Sequence, residues 1–308
     1  MDIKIRNFEI TILKSLRGIS SGFLDSLMQI ITMMGEEYVL IGVIAIFYFL
    51  YDKEIGKKII FTLFVSLLLN NTLKGLIKYP RPFVYDPSLD AVRKETATGF
   101  SFPSGHTQSA TTLYSSVAMF GNLDKKTKLS KKTIWLIAII IFTLVGFSRM
   151  YLAVHYPKDV IVGVILGIAS VFICAYLFKL SKDDSKKLFI IHIIVLAIFL
   201  PFLFIFYKDS YLEIKIYKNF YSSFAMYSGF VLANLIDNKY VNFTCNTSLK
   251  KKILRLCGVI VCFAIIQFGL KFIFPSESIF FYFLRYFLLT FISLGIYPLA
   301  FRKNLFKD

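Results

Sequence analysis

"SRMYLAVHYPKDV" at residues 148–160 joins two long apolar stretches, and its reading decides how the rest of the chain is organised. Each flanking stretch is long enough to cross the roughly 30 Å hydrocarbon core of a bilayer as an α-helix, which takes about 20 residues. A short basic connection between two such stretches reads as the tip of an antiparallel hairpin of membrane spans. Pro157 suits the first position of the second helix, so His155 falls just ahead of that helix and Asp159 in its first turn.

The same pattern repeats along the chain. Of its 308 residues, 56% are hydrophobic and only 18% are charged, against about a quarter charged in a soluble domain. The fold class is therefore all-α: a polytopic membrane helical bundle of about nine spans. They are expected near 36–52, 59–77, 104–121, 133–149, 158–180, 188–207, 219–236, 253–274 and 279–301. Ahead of them, "NFEITILKSLRGISSGFLDSLMQIITMM" mixes apolar and polar residues at helical spacing, which predicts a helix or helix pair lying in the membrane interface. Three regions follow: an interfacial N-terminal segment over 1–35, a core of about five spans over 36–182, and about four further spans over 183–308 with no role evident.

The net charge of +17 is placed in short lysine clusters between apolar runs, such as "DKEIGKK" at 52–58, "DKKTKLSKK" at 124–132 and "KLSKDDSKK" at 179–187. That distribution fits loops obeying the positive-inside rule, so the partner is the lipid bilayer and not nucleic acid. These loops and the C-terminal tail fall on one side, expected to be the cytoplasm of a multi-pass cell-membrane protein. Cys174, Cys257 and Cys262 lie in apolar runs and Cys245 is alone in a polar loop, a spacing that implies neither a disulfide framework nor a metal site. The N-terminus lacks the continuous apolar core of a signal peptide.

The opposite, extracytoplasmic loops gather the chemistry. Lys74 lies near the end of the second span and Arg81 seven residues on; Arg149 ends the fourth. A guanidinium grips two oxygens of a phosphoryl group, and a lysine adds a point charge. In "PSGH" at 103–106, Ser104 starts the third span, where free backbone N–H groups favour an anion. Gly105 permits close approach of a ligand to the backbone. His155 has Asp159 one turn away, where a carboxylate fixes the imidazole tautomer and leaves the other nitrogen as the better nucleophile. His106 and His155 thus meet at one membrane face, while His192 lies inside an apolar span and reads as structural. Asp86, Asp90 and Glu95, in the 83–102 loop, read as solvated residues and not as a metal cage. Arg93, Lys94 and Glu95 of the same loop could touch a second phosphate, although a flexible solvated loop is the expected reading.

In order, "KGLIKYPRP" (74–82), "PSGH" (103–106) and "SRMYLAVHYPKD" (148–159) resemble the signature of the type 2 phosphatidic acid phosphatase and vanadium haloperoxidase superfamily, with every fixed position matched. The resemblance covers about residues 36–180 and implies a role for each matched residue. His155 would be the nucleophile that forms a phosphohistidine, Asp159 its orienting partner and His106 the general acid. Lys74, Arg81, Ser104, Gly105 and Arg149 would hold the phosphate oxygens. No metal and no other cofactor is implied.

The function expected is an integral membrane lipid phosphatase, with a metal-independent hydrolysis of a phosphate or diphosphate monoester at the outer leaflet. Undecaprenyl diphosphate or a related polyprenyl diphosphate fits first. Phosphatidylglycerophosphate and phosphatidic acid are the alternatives, and a lipid phosphotransferase would share the same intermediate. A lipid transporter is the non-enzymatic alternative, drawing on the C-terminal spans, which also offer a surface for a homo-oligomer contact.

Overall fold

In lipid every backbone N–H and C=O must find a partner within its own segment, so long apolar stretches fold as helices. The computed structural model describes residues 3–182, 184–208, 211–275 and 277–307, and the regular structure among them is entirely helical. In chain order, α1 (Ile3–Gly18) and α2 (Gly22–Met33) precede α3 (Glu37–Ala45), which runs on as a π-helical turn to Tyr51. Next, α4 (Lys53–Ile77) leads through α5 (Pro82–Tyr85) and a loop to α6 (Gly105–Phe120), α7 (Leu123–Lys126), α8 (Lys131–Tyr151) and α9 (Pro157–Ser181). The chain continues with α10 (Ser185–Phe199), α11 (Pro201–Ile205), α12 (Tyr211–Ile214), α13 (Lys218–Ile236), α14 (Leu249–Ala264), α15 (Leu270–Ile273), α16 (Ile279–Phe291) and α17 (Tyr297–Ala300).

Among the described residues, six segments are long and apolar enough to cross a membrane: α4 with α5, α8, α9, α10 with α11, α14 with α15, and α16 with α17. The pair α2 and α3, bent by 45°, makes a seventh candidate. The other two expected spans, at α6 and α13, are helices of 16 and 19 residues; α6 buries a polar face, and α13 buries Ser222 and Ser223 among aromatic side chains. On α6, Thr107, Gln108, Thr111, Thr112, Ser115 and Ser116 are all buried. Helix-satisfying bonds make this tolerable: the Thr111 and Thr112 hydroxyls donate to the carbonyls of Thr107 and Gln108, each at 2.8 Å. A helix enclosed by other helices needs no apolar face toward lipid, which is why these two look less hydrophobic.

The chain divides into two compact units, one of residues 1–41 and 69–173, the other of residues 42–68 and 174–308. In the first, α6 packs against α8, and α1 and α2 also dock on α8. The N-terminal stretch is thus a helix pair. On α1, Glu9, Ile10, Leu13 and Arg17 face inward at helical spacing, while Ile3, Ile5 and Phe8 stay exposed. Glu9 caps α9: it accepts from the Lys158 amide at 3.1 Å and its ammonium at 2.6 Å. The α6–α9 approach is close, since a Cβ at Gly163 would lie 2.9 Å from the Ser104 carbonyl oxygen. Only glycine fits there.

In the second unit α13 packs against α16. Lys53 and Lys57 each reach the fully buried Asp237 at 2.8 Å. His192 bonds the Tyr227 hydroxyl through Nδ1 at 2.9 Å and meets the Phe61 ring edge-on, a packing role. Arg255 donates to the carbonyls of Leu305 and Thr244, with the rings of Phe243 and Phe306 beneath its guanidinium.

Candidate active site

The turn between α8 and α9 is buried from Tyr151 to Tyr156, with His155 only 1% exposed. The 79–102 segment covers it with Tyr79, Leu89, Ala91 and Ala97, in one cluster with Ile10 and Leu13 of α1. The loop expected to be solvated is thus half core, although Asp90 keeps its exposure. Arg17 joins Asp25 of α2 to that Asp90, at 2.7 and 2.9 Å.

His155 Nε2 lies 2.9 Å from Nη1 of Arg81. A guanidinium only donates, so this nitrogen carries the lone pair and the proton sits on Nδ1. Nδ1 in turn lies 3.3 Å from Asp159 Oδ2. The same carboxylate oxygen accepts from the Ser101 hydroxyl at 2.5 Å and from the Tyr156 amide at 3.0 Å. Asp159 is therefore locked before any ligand binds, and the imidazole is presented with Nε2 toward the cations. Burial, reinforced by the charges of Arg81, Lys74, Arg149 and His106, holds His155 well below its ordinary pKa. That keeps Nε2 unprotonated, with its lone pair shared only with the Arg81 donor.

The cations are placed by backbone carbonyls. Lys74 donates to the carbonyls of Phe100 and Ser101 at 2.8 and 3.0 Å. Arg81 donates to Val154, Gly99 and Thr98 at 3.0, 3.2 and 2.7 Å. Both residues thus stitch α4 and its continuation to the loop and to the His155 turn. Arg149 is fully buried, and only Nη1 has a partner, the Thr32 hydroxyl at 2.8 Å; Nε and Nη2 have none. Two buried donors of a fixed charge suit an anion.

The "PSGH" segment opens α6. Its Ser104 amide donates to the Asp159 carbonyl at 3.0 Å, tying the second motif to the third, while the Ser104 hydroxyl pairs with Thr107 at 2.8 Å. A Cβ at Gly105 would meet Asn70 and Lys74 only at ordinary contact distance, so nothing in the protein itself demands glycine there. Asn70 is held by Gln108 at 2.7 Å. His106 Nε2 lies 3.7 Å from Glu36 Oε1. Glu36 is gripped by Arg93 at 3.0 and 2.9 Å, which gives that loop cation a protein partner, and Lys94 lies over the Phe83 ring.

The structure therefore gathers Lys74, Arg81, Ser104, Gly105, His106, Arg149, His155 and Asp159 within one unit. Sequence reasoning missed Thr32, Glu36 and Ser101. Each lies outside the three motifs, and no spacing signal marks it. Among the described residues, no group of three or more His, Cys, Asp and Glu side chains is arranged to hold a metal.

A helical bundle with membrane-spanning segments and buried cations around a histidine–aspartate pair defines the class: a multi-pass membrane protein. The chain belongs to the PAP2 superfamily, whose model matches residues 56–183, and residues 221–307 match the PAP2 superfamily phosphatase, transmembrane extension. It is similar to undecaprenyl-diphosphatase of Sulfolobus acidocaldarius, 32% identical over 148 residues, which are 47% of this chain and 66% of that protein. Phosphatidylglycerophosphatase B of Bacillus subtilis is 34% identical over 172 residues, 54% of this chain and 77% of that protein. Among solved structures, the transmembrane PAP2 type phosphatidylglycerolphosphate phosphatase from Bacillus subtilis superposes with a TM-score of 0.51 at 29% identity, covering 60% of this chain and 90% of that one.

Proposed function

We propose that this protein is an integral membrane lipid phosphatase that hydrolyses a phosphate or diphosphate monoester through a phosphohistidine at His155. The observation that carries the reading is the pair of contacts on the His155 ring, Arg81 at Nε2 and Asp159 at Nδ1, from which the tautomer follows. Asp159 holds the proton on Nδ1, and Nε2 offers its lone pair among three cations. In the first step Nε2 bonds to phosphorus as the bond to the leaving oxygen breaks, and His106 gives that oxygen a proton. In the second step water attacks phosphorus, its proton passes to His106, and the N–P bond breaks to release inorganic phosphate. Lys74, Arg81, Arg149, the Ser104 hydroxyl and the backbone at Gly105 take the charge on the equatorial oxygens. No step calls for a metal.

The substrate we favour is a polyprenyl diphosphate such as undecaprenyl diphosphate, which the Sulfolobus relative's name supports. Phosphatidylglycerophosphate is the second candidate, supported by the Bacillus relative. Lysine placement supports a site on the extracytoplasmic side and a C-terminus in the cytoplasm.

The test is phosphate release by the purified protein from a panel of polyprenyl diphosphate, phosphatidylglycerophosphate and phosphatidic acid, with and without EDTA. Rapid acid-free quenching should trap a phosphohistidine that the His155→Ala variant lacks. Turnover by that variant, or loss of activity on chelation, would sink the mechanism. A Ser88→Cys variant labelled from outside intact cells by an impermeant maleimide checks the orientation.

A further inference from the structure

A general acid must bring a proton to the reaction, and His106 sits among positive charges. Burial disfavours the charged ring first, Arg149 and Arg81 push the same way, and His155 lies within its field in the same cup. The anion that faces it is Glu36, from the turn between α2 and α3. His106 Nε2 is buried and has no hydrogen-bond partner, with Glu36 Oε1 at 3.7 Å, just beyond bonding distance.

The turn is pinned to α6 at two points. The Tyr114 hydroxyl donates to the Met34 carbonyl at 3.1 Å. Gly35 lies so close to the His106 backbone that a Cβ there would come within 2.8 Å of its carbonyl oxygen. The Glu36 amide donates to Met33 at 2.9 Å, closing the turn. Arg93 then fixes the side chain by binding both carboxylate oxygens, at 3.0 and 2.9 Å. A carboxylate oxygen accepts more than one hydrogen bond, so Oε1 keeps a lone pair for an imidazolium. Backbone, rotamer and partner are all set.

We infer that Glu36 is a positioning residue for His106: its carboxylate, steadied by Arg93, keeps a proton and a fixed orientation on the imidazole that protonates the leaving group. The inference rests on the reading of His106 as the acid. Glu36 itself keeps its charge throughout. The proton leaves His106 for the departing oxygen as the P–O bond breaks, and water restores it in the second step. Demand for that proton depends on the leaving group. An alcohol such as the diacylglycerol of phosphatidic acid departs poorly as an alkoxide, whereas 4-nitrophenolate departs without help.

The experiment compares phosphatidic acid with 4-nitrophenyl phosphate, using full-length wild type, Glu36→Gln, Glu36→Asp and Arg93→Met in detergent. Glu36→Gln should lower kcat on phosphatidic acid by about 10- to 100-fold with little change in KM. Its loss on 4-nitrophenyl phosphate should be at least about tenfold smaller. The basic limb of the kcat–pH profile should move to lower pH, because the imidazole loses its counter-charge. Glu36→Asp should recover part of the loss. Arg93→Met should show a weaker defect of the same leaving-group dependence, which keeps the test open should Glu36→Gln fail to fold. Equal losses on both probes, or an unmoved basic limb, would overturn the inference. Quenched samples separate the two readings: a wild type without phosphohistidine overturns the His155 mechanism. A phosphohistidine that forms from phosphatidic acid equally fast in wild type and Glu36→Gln overturns only the role of Glu36.

Discussion

Arg149 donates from Nη1 to the hydroxyl of Thr32, 117 residues earlier in the chain, at 2.8 Å. An α2 residue thereby aims a guanidinium whose other two nitrogens are buried without protein partners. Thr32→Val keeps the shape and removes the acceptor. A lost bond to a charged group amounts to about 1.5–3 kcal/mol, so kcat/KM for a lipid phosphate should fall by about tenfold or more. Steady-state kinetics read it, and an unchanged kcat/KM would mean that Arg149 does not need this anchor.

Asp159→Asn should lower kcat by about 10³- to 10⁴-fold, the scale known for a mis-set tautomer in a histidine–carboxylate pair. An amide presents its NH2 as readily as its oxygen to Nδ1, and the lone pair then no longer points at phosphorus. Ser101→Ala removes one of the bonds that hold the carboxylate and should cost about tenfold. A thermal melt in detergent separates this from unfolding. If Asp159→Asn keeps near-native kcat, the tautomer argument fails.

The pH profile follows from the same imidazole. Because burial and the neighbouring cations lower the His155 pKa, the nucleophile stays neutral where an ordinary histidine, near 6.5, is half protonated. Activity should therefore persist as pH falls below that value and disappear only when pH passes the lower, folded-state pKa. A kcat/KM profile whose acid limb sits at or above the ordinary imidazole value would contradict this.

Gly163→Val places a branched side chain where even a Cβ comes within 2.9 Å of the Ser104 carbonyl. Overpacking of this kind costs about 1–3 kcal/mol, and here it also pushes the start of α6 away from Asp159. Both the melting temperature and kcat should fall. Ile161→Val, at an exposed position two residues earlier, is the control that should change neither.

The spans and the cup differ in how openly the sequence displays them. Apolar length marks α8, α9 and α10 directly, because lipid faces them. Sequence periodicity says less about α6, whose Thr111, Thr112, Ser115 and Ser116 are buried against protein. Lys74, Arg81, Ser104, Arg149 and His155 stand out through fixed spacings within short segments. Thr32, Glu36 and Ser101 act only through distance in space, from a bent helix pair and a covering loop. The loop itself was misjudged because Leu89, Ala91 and Ala97 are scattered among polar residues and show no period, yet they close over the turn that holds His155.

Thr32 and Glu36 lie upstream of the family match, which begins at residue 56. Drug selectivity turns on that separation. A phosphate mimic confined to the motif residues would meet the same groups in many relatives. One extended by a cationic arm toward the Glu36–Arg93 pair would draw discrimination from a segment that the family model does not include.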